Sequence, residues 1–144
     1  MAPRVVVVVK RTPFGRYVEE EGDPEVVRLI KKRDPSVARW VRAHREHLGT
    51  VAVVERALKK LGARAWMLHG PRVVFDASDA SLVVTVGGDG TLLAASHHVG
   101  RAPILGVNSS PGSSVGFFCE DSSTCLLRLT QITGTRAFTH GTTS

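Results

Sequence analysis

Cysteine is nearly absent from this sequence, aromatic side chains are sparse, and no long apolar run occurs. Cys119 and Cys125 are the two cysteines of 144 residues, and their spacing matches no zinc pattern. Neither a disulfide scaffold nor a zinc module is expected, and both are read as plain thiols. Aromatic residues make up 6% of the chain, too few to interleave with its basic residues as a stacking platform for nucleic acid requires. No nucleic-acid partner is expected. No apolar run approaches the ~18 residues of a membrane span. Val5 to Val9 is also too short for a secretory signal core, so no membrane partner is expected and the cytoplasm is the expected location. Two common phosphate-binding patterns are missing as well. No lysine follows Gly90, which excludes a Walker A loop, and G-x-G-x-x-G spacing does not occur there.

Hydrophobic residues make up 42% of the chain and charged residues 22%, which suits one globular domain able to bury a core. The net charge of +6 is uneven. Residues 1–72 hold 16 Lys/Arg against 8 Asp/Glu, and residues 73–144 hold 3 against 5. The basic excess either steers an anionic ligand or is a solvated helix surface.

Arg4 to Lys10 reads as a strand buried on both faces, because five valines stand in a row. Arg11 to Gly22 reads as a loop with an acidic Glu19-Glu20-Glu21 patch. Asp23-Pro24 and Asp34-Pro35 both look like helix starts, with Asp as cap and Pro at the first helical position. Val37, Trp40, Val41, His44 and Leu48 follow at helical spacing. Gly49-Thr50 either breaks that helix or weakens it, and Gly62 closes it. Arg64 to His69 is a second strand, Gly70-Pro71 a turn, and Leu82 to Val86 a strong strand ending at Gly87-Gly88. Thr91 to Val99 reads as a helix, Ile104 to Val107 as a strand, Asn108 to Gly116 as a loop and Ser123 to Ile132 as a helix. Trp40 and Trp66 are expected in the core or an interface. His44 and His47 can share a helix face and are expected to be structural or exposed. His97 and His98, as helix neighbours, cannot form an i, i+4 metal pair. The alternation of strands and helices predicts an α/β fold, an open, mostly parallel sheet with flanking helices. Ligands bind such sheets beyond the carboxyl ends of the strands, where both glycine-rich loops fall.

The chemistry concentrates in Gly87-Gly88-Asp89-Gly90-Thr91, between a strand and a helix. The glycines suit a tight turn and close approach of a ligand, and the helix N-terminus suits phosphate. A carboxylate beside phosphates needs a reason. Asp89 either holds Mg²⁺, takes a proton from an attacking hydroxyl, or is simply an N-cap. Thr91 either caps the helix or touches a phosphate. Asn108 either contacts a nucleotide or starts a turn.

Gly87-Gly-Asp-Gly-Thr91 after a hydrophobic strand resembles the signature shared by NAD kinases, diacylglycerol and sphingosine kinases and, more loosely, phosphofructokinases. Pro103-Ile-Leu-Gly-Val-Asn108 followed by Pro111 to Phe118 resembles the second NAD kinase motif. Leu92-Leu-Ala-Ala-Ser96 stands where lipid kinases usually carry Asn-Glu. The resemblance covers roughly residues 4–132 and is specific over 82–120. It implies a Rossmann-like domain that helps transfer a phosphoryl group from ATP, or polyphosphate, to the adenosine-ribose 2′-hydroxyl of NAD⁺. Asp89 would be the base, with Mg²⁺ or another divalent cation accompanying ATP. Gly87, Gly88, Gly90, Thr91, Asn108 and Gly116 would line the nucleotide site, and Phe117 would pack on an adenine. A homo-oligomer is compatible with the family. Residues 1–133 are expected to form the α/β domain and 134–144 a polar tail, with the family's C-terminal β-rich domain lacking. The alternatives are a lipid or sphingoid-base kinase domain and a non-catalytic nucleotide-binding module.

Overall fold

The computed structural model describes residues 2–70 and 74–111. Four strands, β1 (Arg4–Val9), β2 (Arg64–His69), β3 (Leu82–Gly87) and β4 (Ile104–Asn108), pair in the order β2-β1-β3-β4, every pair parallel. Three α-helices connect them: α1 (Pro24–Lys31), α2 (Pro35–Lys60) and α3 (Asp89–Ser96).

The valine run of β1 shows why the sheet is central. Alternate side chains of a strand point to opposite faces. Val5, Val7 and Val9 pack with Val54, Ala57 and Leu58 of α2, whereas Val6 and Val8 pack with Val83, Ala95 and Val99 on the α3 side. All five valines are buried, so neither face is left to water and no polar alternation is needed.

Both predicted helix starts are realised. The Asp23 carboxylate accepts from the N–H groups of Glu25 (3.0 Å) and Val26 (3.3 Å), and Asp34 accepts from Ser36 (2.9 Å). The Ser36 hydroxyl and N–H hold the Asp34 carboxyl below its ordinary pKa. α2 runs unbroken through Gly49-Thr50 for 26 residues. The Thr50 hydroxyl bonds back to the Glu46 carbonyl (3.1 Å) within the helix. Gly62 ends α2 at φ +69°, and the Ala63 N–H returns to the Leu58 carbonyl (3.0 Å).

Three expectations need correction. Residues 11–22 are not all loop. Gly15–Glu20 form a short π-helical segment in which the Glu21 N–H reaches the Arg16 carbonyl (3.0 Å). Long-range contacts accompany it, the Glu19 carboxylate with the His44 ring (3.2 Å) and Tyr17 on Trp40, with surface ion pairs of Glu20 to Arg11 and Glu21 to Arg16, and an apolar period does not report them. α3 spans Asp89–Ser96, beginning two residues before the expected Thr91 and stopping before Val99. Trp66 is 57% exposed, because β2 is an edge strand and α3 lies mainly over β3 and β4. The Arg4 guanidinium sits over its indole at 5.0 Å. Trp40 is half-buried and stacks on Tyr17 at 5.6 Å. The helix expected over Ser123 to Ile132 and the polar tail lie outside the described residues.

The chain leaves β1 through α2 to reach β2 on one side, and leaves β3 through α3 to reach β4 on the other. Right-handed crossovers running in opposite directions place their helices on opposite faces. α2 covers one face and α3 the other. The two connections diverge between β1 and β3, and the carboxyl ends of those strands frame the crevice in which sheets of this kind bind ligands.

Candidate functional site

Gly87 ends β3, Gly88 caps α3, and Asp89 is the first residue of that helix. The turn therefore delivers a half-exposed carboxylate to the crevice, at the positive end of a helix dipole. Gly88, not Asp89, occupies the cap position, so the reading of Asp89 as N-cap is not met. None of Gly87, Gly88 and Gly90 has a positive φ, so a left-handed backbone is not what calls for glycine here. At Gly87 the reason is packing. A Cβ there would lie 2.5 Å from Thr91 Oγ1 and 2.9 Å from Lys10 Cβ. At Gly90 a Cβ would meet nothing within 4 Å, so this glycine leaves the helix start bare. Thr91 is buried against Gly87 within the first turn of α3 and does not cap it.

Asn108 ends β4 directly opposite Gly87, and the Ser109 N–H bonds the Gly87 carbonyl (3.0 Å). The two glycine-rich segments thus start side by side. Asn108 is buried, and its Oδ1 accepts from the Ser110 N–H (3.1 Å), so it does start a turn. Gly116 and Phe117, with Phe118, lie outside the described residues.

A buried polar cluster on α2 lies beneath these loops. His44 Nδ1 is 2.7 Å from the Thr12 hydroxyl, which also accepts from the Gly15 N–H (3.0 Å), and the Phe14 ring stacks on the imidazole at 4.6 Å. His47 Nδ1 is 2.7 Å from the Ser109 hydroxyl. The Ser110 hydroxyl donates to the Ala43 carbonyl (3.1 Å), and the Thr50 hydroxyl reaches the Ser109 carbonyl at 3.5 Å. One stretch of α2, Ala43 to Thr50, therefore anchors the loop after β1 and the loop after β4. Burial, then the positive charge of Lys10 and then His44, push the His47 pKa down to about 4, against a hydrogen bond to the Lys10 backbone. His47 is neutral at pH 7.

The expected structural role of both histidines holds, but their link to the crevice is not readable from helical spacing. A signal is present, since His44 sits within an otherwise apolar stripe. The stripe itself is rotated from expectation: Leu48 is 52% exposed and His47 takes the inward position.

Among the described residues, no group of three or more His, Cys, Asp or Glu is arranged to hold a metal. His98 lies against Phe75 at 5.6 Å. The single carboxylate of Asp89 fits Mg²⁺ that arrives on a nucleotide, because such an ion takes one or two carboxylates and draws its other ligands from phosphates and water. No helix among the described residues is long and apolar enough to cross a membrane.

A parallel sheet wound in both directions, with a glycine-framed acid at its switch point, defines an open, doubly wound α/β domain. Residues 5–121 match the ATP-NAD kinase N-terminal domain, and the chain belongs to the NAD kinase family. It is similar to an NAD kinase of Citrifermentans bemidjiense, 43% identical over 74 residues, covering 50% of this chain and 25% of that protein. It is also similar to the human "NAD kinase 2, mitochondrial", 32% identical over 127 residues, covering 81% of this chain and 28% of that protein. An NADH kinase of Arabidopsis thaliana is 62% identical over 34 residues, covering 23% of this chain and 11% of that protein. The chain thus spans about a quarter of the length of the first two relatives.

Proposed function

We propose that this domain takes part in phosphoryl transfer from ATP to the adenosine-ribose 2′-hydroxyl of NAD⁺, with Asp89 accepting the hydroxyl proton. The observation that carries this reading is the position of Asp89: first residue of α3, half-exposed, at the carboxyl edge between β1 and β3, beside the bare Gly90. A phosphoryl-transfer site needs positioning and charge stabilisation more than covalent chemistry from the protein. The hydroxyl oxygen forms a bond to the γ-phosphorus, the bond to the bridging oxygen breaks, ADP leaves, and the proton passes to the Asp89 carboxylate. A divalent cation bound with ATP supplies charge neutralisation on the phosphates. Gly88 and Gly90 leave room for the phosphates, Gly87 and Thr91 fix the turn, and Asn108 holds the second loop beside the first. In this reading Gly116 is among the residues that bind the nucleotide, and Phe117 packs on an adenine.

The test is NADP⁺ formation from NAD⁺, ATP and Mg²⁺, read by a dehydrogenase that accepts only NADP⁺. Asp89→Asn is expected to lower turnover by roughly 10²–10⁴-fold, the usual contribution of a positioned general base. An Asp89→Asn protein as active as the wild type would sink the role of Asp89. Phosphorylation of a lipid alcohol in place of NAD⁺ would sink the substrate.

A further inference from the structure

The Gly87–Thr91 turn contains no cation of its own, although a phosphate chain brings several negative charges. A Walker A loop supplies its lysine from within the loop. Here the neighbouring strand offers one. Lys10 directly follows Val9 at the carboxyl end of β1, and its N–H bonds the Val86 carbonyl (2.9 Å). Strand alternation places the Lys10 side chain on the face of Val6 and Val8, which is the α3 face. The geometry at Gly87 agrees, since the space of the missing side chain is shared by Lys10 Cβ and by Thr91 of the first turn of α3. The absence of a side chain at Gly87 is therefore what lets Lys10 rise beside the start of α3. Its charge also reaches His47 on α2 and lowers the proton affinity of that imidazole. Lys10 is exposed, and no carboxylate among the described residues pairs with it, whereas the adjacent Arg11 is engaged by Glu20 (3.2 Å).

We propose that Lys10 is the cation that receives the linked phosphates of the nucleotide in the crevice between β1 and β3. This rests on the phosphoryl-transfer reading above and adds the residue that balances the phosphate charge. Two sources share the chemistry: the triphosphate of ATP and the pyrophosphate of NAD⁺.

The experiment measures binding of ATP, inorganic tripolyphosphate and NAD⁺ to the full chain by calorimetry, for the wild type, Lys10→Met, Lys10→Arg and Arg11→Met. Thermal unfolding checks that each variant is folded. Lys10→Met is expected to weaken at least one of these ligands by about tenfold or more, as loss of a charge-assisted hydrogen bond does. Lys10→Arg is expected to retain most of the affinity, and Arg11→Met, with the same change in net charge, to stay near wild type. A loss confined to ATP and tripolyphosphate assigns Lys10 to the donor chain, and a loss confined to NAD⁺ assigns it to the pyrophosphate. Lys10→Met binding all three as the wild type does overturns the proposal, as does an equal loss in Arg11→Met. A wild-type chain that binds neither ATP nor NAD⁺ overturns the phosphoryl-transfer reading itself, and this proposal with it.

Discussion

His47 Nδ1 and the Ser109 hydroxyl meet at 2.7 Å inside the protein, across 62 residues of sequence. His47 is 3% exposed, and its pKa falls from 6.5 to about 4 on folding, chiefly through burial. Its folded pKa is depressed, so between these values the unfolded chain binds the extra proton. The stability His47 contributes is fully present above about pH 6.5 and is lost as pH falls toward 4. The full effect is about 3 kcal/mol, at about 1.4 kcal/mol for each tenfold change in proton affinity. Urea unfolding from pH 4 to 7 should show this slope, and His47→Gln should flatten it. An unchanged slope in the variant assigns the acid sensitivity elsewhere.

Gly87 and Gly90 stand three residues apart and should respond in opposite ways. Gly87→Ala places a methyl group against Thr91 and Lys10 and should cost about 1–3 kcal/mol through overpacking. Gly90→Ala enters open space in a helix at ordinary φ, and should leave stability unchanged or raise it by up to about 1 kcal/mol. If Gly90 is the point of close ligand approach, that same variant should lose ATP affinity. Thermal unfolding and ATP titration of both variants decide between packing and ligand roles.

Thr85 is fully buried in β3, and its hydroxyl has no hydrogen-bond partner among the described residues. A valine has the same shape and no orphaned polar atom. Thr85→Val should stabilise the protein by about 1 kcal/mol, within the usual 1–3 kcal/mol penalty of an unsatisfied buried group. A loss of stability on urea unfolding would show that the hydroxyl has a role in this core.

Gly49 lies exposed within the unbroken α2, and an alanine methyl at this position would meet nothing within 4 Å. Gly49→Ala should raise stability by about 1 kcal/mol, the difference in helix propensity. A fall in the unfolding midpoint would mean that this position requires glycine for a contact.

The parts of the fold governed by local rules are legible in the sequence. The valines of β1, the Asp-Pro starts of α1 and α2 and the glycine that closes α2 each act through their immediate neighbours, and each stands where expected. The parallel sheet follows from the order of these elements. The exposure of Trp66 depends on β2 being an edge strand, which sequence order does not reveal. The π-helical segment is tied to α2 by polar and ring contacts across the chain and so leaves no apolar period to read. At the site, the placement of Asp89 beside a helix start is readable, but the separate reasons for Gly87 and Gly90 are not. The contacts of Thr12 and Ser109 with α2 span 32 and 62 residues, and no local pattern encodes them.

α2 is about 39 Å long at 1.5 Å per residue. Its Val54, Ala57 and Leu58 are rooted in the core, and the contacts to Thr12 and Ser109 lie one to three turns nearer its N-terminus. The loops after β1 and after β4 are therefore bolted to a single beam. A small tilt of that beam about its rooted end would carry the two loops in concert, so the segments that flank the Gly87–Thr91 turn share one mechanical coordinate and do not move as independent loops.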